Sequence, residues 1–141
     1  MIILSFDFGT KNIGVAVGQK ITKTASALKN ITVKNGIPNW KNISSIIKYW
    51  KPKLIIIGYP LNMDGTKQKI TQKVHIFAKN IQLKYNIHVE LHDERLTTVE
   101  SKTILYEYGG YKKLKKNNIH SLSAIIILES WLNQNFENTI L

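Results

Sequence analysis

Hydrophobic and polar positions along the chain follow two different periods, and the switch between them sets out the fold. Residues 2 to 8 and 13 to 18 are β-rich runs joined by a short turn, and a weaker third run covers about 24 to 33. Together they predict a three-stranded antiparallel meander. Asn35-Gly36-Ile37-Pro38 is then expected to break the sheet. From Asn39 the apolar positions Trp40, Ile43, Ile46, Ile47 and Trp50 recur at helical spacing, with Asn39 or Asn42 as candidate caps and Pro52 as the stop.

Leu54 to Ile57 is a continuous apolar run, the pattern of a strand covered on both faces, so it is assigned to the middle of the sheet. A polar loop, Leu61 to Thr66, leads into a helix with apolar positions Ile70, Val74, Phe77, Ala78, Ile81 and Tyr85, and Asp64 is expected to cap it. His88 to Glu94 alternates as a strand, Thr97-Thr-Val-Glu100 has the form of a capping box opening a helix to about Tyr108, and Ile119 to Leu132 is a strongly apolar final helix. The order β-β-β-α-β-α-β-α-α predicts an α/β fold: a mixed five-stranded sheet, antiparallel meander plus parallel βαβ strands, with helices on both faces. No linker or internal repeat divides residues 1–141, so one domain is expected.

One residue disturbs the pattern. Asp7 ends the first apolar run, where a strand would bury something apolar, and an isolated carboxylate there is costly unless it is paired or holds a cation. Gly9 and Gly14 suggest a backbone left open to a phosphate or metal. Ligands of sheets with parallel strands bind at the carboxyl ends of those strands. Asp7, the turn Gly58-Tyr59-Pro60 and the pair Asp93-Glu94 all fall at such ends, so three distant segments are expected to converge on one site.

Composition narrows the partner class. Twenty basic against 9 acidic residues give a net charge of +11, which points to a polyanion such as nucleic acid, although the basic residues are almost all Lys in a chain also rich in Ile and Asn, as compositional drift would produce. Lys112, Lys113, Lys115 and Lys116 concentrate that charge in one segment, read either as a phosphate-contacting loop or as a solvated one. The absence of cysteine excludes disulfides and thiolate metal sites and makes a reducing cytoplasm the expected home. No apolar run is long enough for a membrane span and no signal segment is recognisable, so no membrane partner is expected.

Four motifs then coincide. Phe6-Asp7-Phe-Gly9-Thr-Lys11-Asn-Ile-Gly14-Val-Ala, Ile57-Gly58-Tyr-Pro60-Leu-Asn62-Met-Asp64-Gly65-Thr66, Asp93-Glu94-Arg95-Leu-Thr-Thr98 and His120-Ser-Leu-Ser-Ala124-Ile-Ile-Ile-Leu128 resemble, in order and spacing, the YqgF/RuvX family. That family consists of bacterial RNase H-like proteins described as pre-16S ribosomal RNA nucleases and as Holliday-junction-resolvase homologues. The resemblance implies an RNase H-like fold and phosphodiester hydrolysis by metal-bound carboxylates in ribosome biogenesis. Precursor ribosomal RNA is the favoured substrate, with a ribosome precursor as a candidate partner and branched DNA as the second choice.

The chemistry requires acids, because divalent ions must neutralise an anionic phosphodiester, activate water and stabilise the leaving oxygen. Hard Mg²⁺ or Mn²⁺ takes oxygen ligands. The resemblance gives Asp7 the metal-bridging role and Glu94 the next ligand position, with Asp93 in reserve because strand alternation sends the pair to opposite faces. Arg95, the only arginine, could hold phosphate or simply pair with Asp93. Lys11 and Asn62 are further candidate nucleic-acid contacts, beside Thr66. His120 stands where the family motif begins with Asp. It is either a ligand or base suited to Mn²⁺ more than Mg²⁺, or the mark of a catalytically silent RNA-binding remnant. His75, His88 and His92 lack ligand spacing, and Trp40, Trp50 and Trp131 sit at core-like helical positions.

Overall fold

The computed structural model describes residues 1–96 and 121–140. β1 (Ile2–Phe8), β2 (Asn12–Gln19) and β3 (Thr24–Lys34) form the meander, and β4 (Ile37–Pro38) pairs back on the end of β3. α1 (Trp40–Trp50), β5 (Leu54–Tyr59), α2 (Lys69–Tyr85) and β6 (His88–Asp93) follow, then a 3-10 turn (Glu94–Leu96) and α3 (Leu122–Ile140). Among the described residues the sheet has six strands in the order β4-β3-β2-β1-β5-β6, with β1, β5 and β6 mutually parallel. The mixed α/β architecture matches the expectation, with one strand more. Asn35-Gly36 does not break the sheet: both residues take positive φ and turn the chain tightly enough for Ile37 and Pro38 to pair with Lys34 and Val33.

Alternation along β1 divides the core. Leu4 and Phe6 point to the face covered by α1 and α2, where they pack with Val15, Ile55, Ile57, Ile43, Ile47, Val74, Phe77 and Ile81. Ile3 points to the opposite face, against Ala16, Ile56 and the residues Ala124, Ile127, Leu128 and Trp131 of α3. β5 is buried on both faces from Leu54 to Gly58, which is why its sequence shows no alternation.

Local signals set the helix ends. The Asn39 side chain accepts from Asn42 N at 3.2 Å to cap α1, and Lys51 closes it with φ 48° immediately before Pro52. α2 opens differently from expectation. Asp64 is not its cap but accepts from Thr66 N and Thr66 Oγ1, closing a turn upstream, while Gln68 and Thr71 cap the helix reciprocally. Thr71 also donates to the Pro60 carbonyl, tying the start of α2 to the end of β5. The final helix is described from Leu122 and runs further than Leu132. The helix expected from Thr97, the segment Lys112 to Lys116, and His120 lie outside the described residues. Among the described residues no helix is long and apolar enough to cross a membrane.

Candidate active site

β1 is fully buried from Ile3 to Phe6, so Asp7 follows directly on the core. Its side chain lies on the α3 face, two residues after Ser5, whose hydroxyl donates to the Ala124 carbonyl at 2.7 Å. Ser123, in the first turn of α3, donates to the Asp7 carboxylate. Burial outweighs that hydrogen bond and raises the Asp7 pKa from 3.8 to about 6. An acid so placed favours a nearby cation. Gly9, next but one, is needed by the β1–β2 turn: a Cβ there would lie 2.5 Å from the Asn12 carbonyl oxygen.

Gly58 is the centre of the arrangement. In the parallel register Phe6 is level with Ile57, and Gly58 with His92, so Gly58 lies between the end of β1 and the end of β6. A Cβ on it would meet Ile127 Cδ1 at 2.6 Å, Glu94 Cδ at 3.2 Å and Glu94 Cγ at 3.3 Å. The Glu94 side chain therefore folds back from the 3-10 turn over the bare backbone of Gly58, on the face where Asp7 stands. The missing side chain of Gly58 is the space that lets α3 and Glu94 approach the sheet together.

Asp93 is occupied elsewhere. Arg95 Nε lies 3.0 Å from both of its carboxylate oxygens, Arg95 Nη2 lies 2.6 Å from Oδ2, and Arg95 N donates to Oδ1 at 2.9 Å. The guanidinium holds the Asp93 carboxyl below the usual range. Arg95 Nη1 reaches the Met63 carbonyl at 3.4 Å, so the fork considered for phosphate fastens the loop after β5 to the end of β6. Asn62 is engaged within that loop, its Nδ2 donating to Thr66 Oγ1 at 2.9 Å. Lys11 is exposed in the β1–β2 turn.

Asp7 thus ends β1 with Ser123 on its carboxylate, and Glu94 folds over Gly58 on the same face of the sheet, while Asp93, Arg95 and Asn62 build the adjoining loop. Sequence reasoning missed Ser123 and the structural reason for Gly58. The only available signal for Ser123 was its presence in the first turn of the last helix, within the fourth motif. Among the described residues no three His, Asp or Glu side chains form a metal-binding group. Two carboxylates and a hydroxyl nevertheless suit a hard cation, which takes oxygen donors. His92 is buried and bonded to Ser130 Oγ at 2.9 Å, a packing role, and burial lowers its pKa.

This arrangement of sheet and helices is that of the RuvC-like, RNase H-like nucleases. The Thermus thermophilus RuvC structure in complex with a Holliday junction substrate superposes with a TM-score of 0.62 at 13% identity, over 99% of this chain and 96% of that one. The fowlpox virus Holliday junction resolvase gives 0.55 at 18% identity, over 95% and 99%. At such identities the likeness is one of fold.

Sequence comparison is more specific. A family model described as "RuvX: Holliday junction resolvase" matches residues 1–134, and the chain belongs to this family. A relative from Buchnera aphidicola subsp. Schizaphis graminum, named "Putative pre-16S rRNA nuclease", is 54% identical over 96% of this chain and 98% of its own length. One of the same name from Haemophilus ducreyi is 53% identical over 94% and 96%.

Proposed function

We propose that the chain is a single-domain, metal-dependent endonuclease that hydrolyses phosphodiester bonds in structured nucleic acid, with precursor 16S ribosomal RNA as its substrate. What supports the chemistry is that Glu94 folds over Gly58 on the sheet face to which Asp7, at the end of the neighbouring strand β1, also points. The names of the relatives support the choice of RNA.

Asp7 and Glu94 would hold Mg²⁺ or Mn²⁺, whose contribution is to neutralise the phosphate, lower the pKa of water and stabilise the departing oxygen. Ser123 orients the Asp7 carboxylate through its hydrogen bond. Asp93 and Arg95 act one layer out, fixing the turn from which Glu94 projects. His120 precedes Ser121 directly and is proposed as the remaining ligand or base. Lys11 and the Lys112 to Lys116 segment are proposed to contact phosphates, which would make affinity fall with salt.

A parallel cleavage assay on precursor ribosomal RNA and on a four-way DNA junction, each with Mg²⁺ and with Mn²⁺, tests the reading. RNA cleavage that Asp7→Asn abolishes supports it. Cleavage of the junction alone would make the protein a resolvase. Binding of precursor RNA without cleavage of either substrate would mean a silent remnant, and a gain of cleavage in His120→Asp would locate the defect.

A further inference from the structure

The opposite face of the sheet carries a pocket of about 440 Å³ at the same end as the carboxylates. Phe8, the residue after Asp7, points into it, because successive side chains of a strand take opposite faces. Phe77 is buried at its base, with ring centroids 5.0 Å from Phe8 and 5.9 Å from Trp40, and both of those rings are only half-buried. Thr10, Lys73 and Asn80 supply the polar side chains of the lining, which contains no acid among the described residues. Lys84 Nζ lies 4.7 Å from the centre of the Trp40 ring and adds a second cation nearby.

The chemistry of that lining selects a ligand with a flat apolar body and an anionic end. The volume is in the range that encloses a small molecule. A nucleotide unit has both properties, and the proposed site of phosphodiester hydrolysis at Asp7 is one residue away along β1, across the end of the sheet. We propose that the pocket receives one unstacked base of the nucleic acid chain bound at the Asp7 site, its ring against Phe8 and Trp40 and a flanking phosphate on Lys73. The proposal rests on the nuclease reading and extends it: the protein prefers substrates with an unpaired segment beside the scissile bond, and that base sets the position of the cut.

Binding of the full chain is measured by anisotropy with a labelled duplex carrying a single-stranded tail, the same duplex without a tail, and tailed duplexes with one abasic position moved along the tail. Wild type should bind the tailed form more tightly, and one abasic position should lose at least about fivefold, the lower end of what stacking a single base contributes. That ratio should be insensitive to salt, unlike the phosphate contacts. Ile76→Glu, at an exposed position on the rim, should remove the preference and Lys73→Gln should only weaken it, while binding to the untailed duplex stays within about twofold.

Indifference of wild type to every abasic position would overturn the proposal. So would equal loss by the variants on tailed and untailed duplexes, or free adenosine monophosphate saturating the pocket as tightly as the tail. Asp7→Asn separates this from the nuclease reading. It should stop cleavage yet keep the abasic effect, whereas cleavage surviving in Asp7→Asn refutes the nuclease assignment even where the base preference is present.

Discussion

The two faces of one sheet are built from different materials. Beneath α1 and α2 the contacts are almost wholly apolar, from Leu4 and Phe6 across to Val74, Phe77 and Ile81. Beneath α3 the apolar cluster is smaller and threaded by hydrogen bonds. Ser5 donates to the Ala124 carbonyl, Ser121 accepts from Val15 N and donates to the Leu28 carbonyl, and Trp131 Nε1 donates to Glu90 at 2.7 Å. Apolar packing tolerates small slips, because it has little direction; hydrogen bonds at fixed distances do not. The first face supplies cohesion. The second sets the position of α3 on the sheet, and hence of Ser123 against Asp7.

That contrast predicts variants in which stability and activity move in opposite directions, and Asp7→Asn should show the largest effect. Cleavage should fall by more than about a hundredfold, since loss of even an outer-shell partner costs about 10–100-fold. Stability should rise. The folded chain holds the Asp7 proton up to about pH 6 whereas the ordinary value is 3.8, so the carboxyl's contribution is fully present below the lower value and lost as pH rises through the upper one. Asparagine has no such loss. At pH 7 without divalent ions, thermal denaturation should find the variant more stable by about 1–3 kcal/mol. Adding Mn²⁺ should raise the melting temperature of wild type and leave the variant unmoved, and an equal rise in both would sink the ligand role of Asp7.

Gly58→Ala tests the geometry without removing any functional group. Its Cβ would strike Ile127 Cδ1 and Glu94 Cδ, both at the ends of flexible side chains, so the structure can yield, but at the expense of the Glu94 position. A cost of about 1–3 kcal/mol in stability is expected. The diagnostic result is a drop of about tenfold or more in Mn²⁺ affinity by calorimetry. Unaltered affinity would mean that Glu94 does not need its path over Gly58.

What the sequence revealed, and what it hid, follows the same division. The meander, α1 and β5 were legible because alternation, helical spacing and a double-sided apolar run are local patterns. Asp7 was legible because it violated one. β4 was hidden, since two residues paired by a positive-φ turn leave no periodic trace. The start of α2 was misread because Asp64 and Thr66 make a closed turn with the chemistry of a cap, and the reciprocal pair Gln68 and Thr71 lies further on. Gly58 and Ser123 were invisible in their roles, because each depends on contact between segments far apart in the chain.

Ser121→Ala is expected to act through the α3 face alone. Its hydroxyl is the partner of the buried Val15 N–H and of the Leu28 carbonyl, and alanine leaves both without it. The cost should be about 1–3 kcal/mol in urea unfolding, typical of stranding a buried donor. Catalysis should decline with it as α3 loosens and Ser123 leaves Asp7. The expected stability cost with activity intact would break the link between this network and the site.

Asp93→Asn should have the smallest effect, and its value lies in the comparison with its neighbour. The two acids are adjacent, yet Glu94 crosses Gly58 while Asp93 is bound by Arg95 at a partly exposed position. Exposed ion pairs contribute up to about 1 kcal/mol, and asparagine can still accept from Arg95 N through its amide oxygen. Stability should therefore fall by less than about 1 kcal/mol, and activity by a few-fold as the turn carrying Glu94 loses part of its anchorage. Glu94→Gln, by contrast, should resemble Asp7→Asn in losing metal binding. If Asp93→Asn instead proves the more damaging of the two in both Mn²⁺ affinity and cleavage, then the ion pair must open on substrate binding, and Asp93 is the ligand.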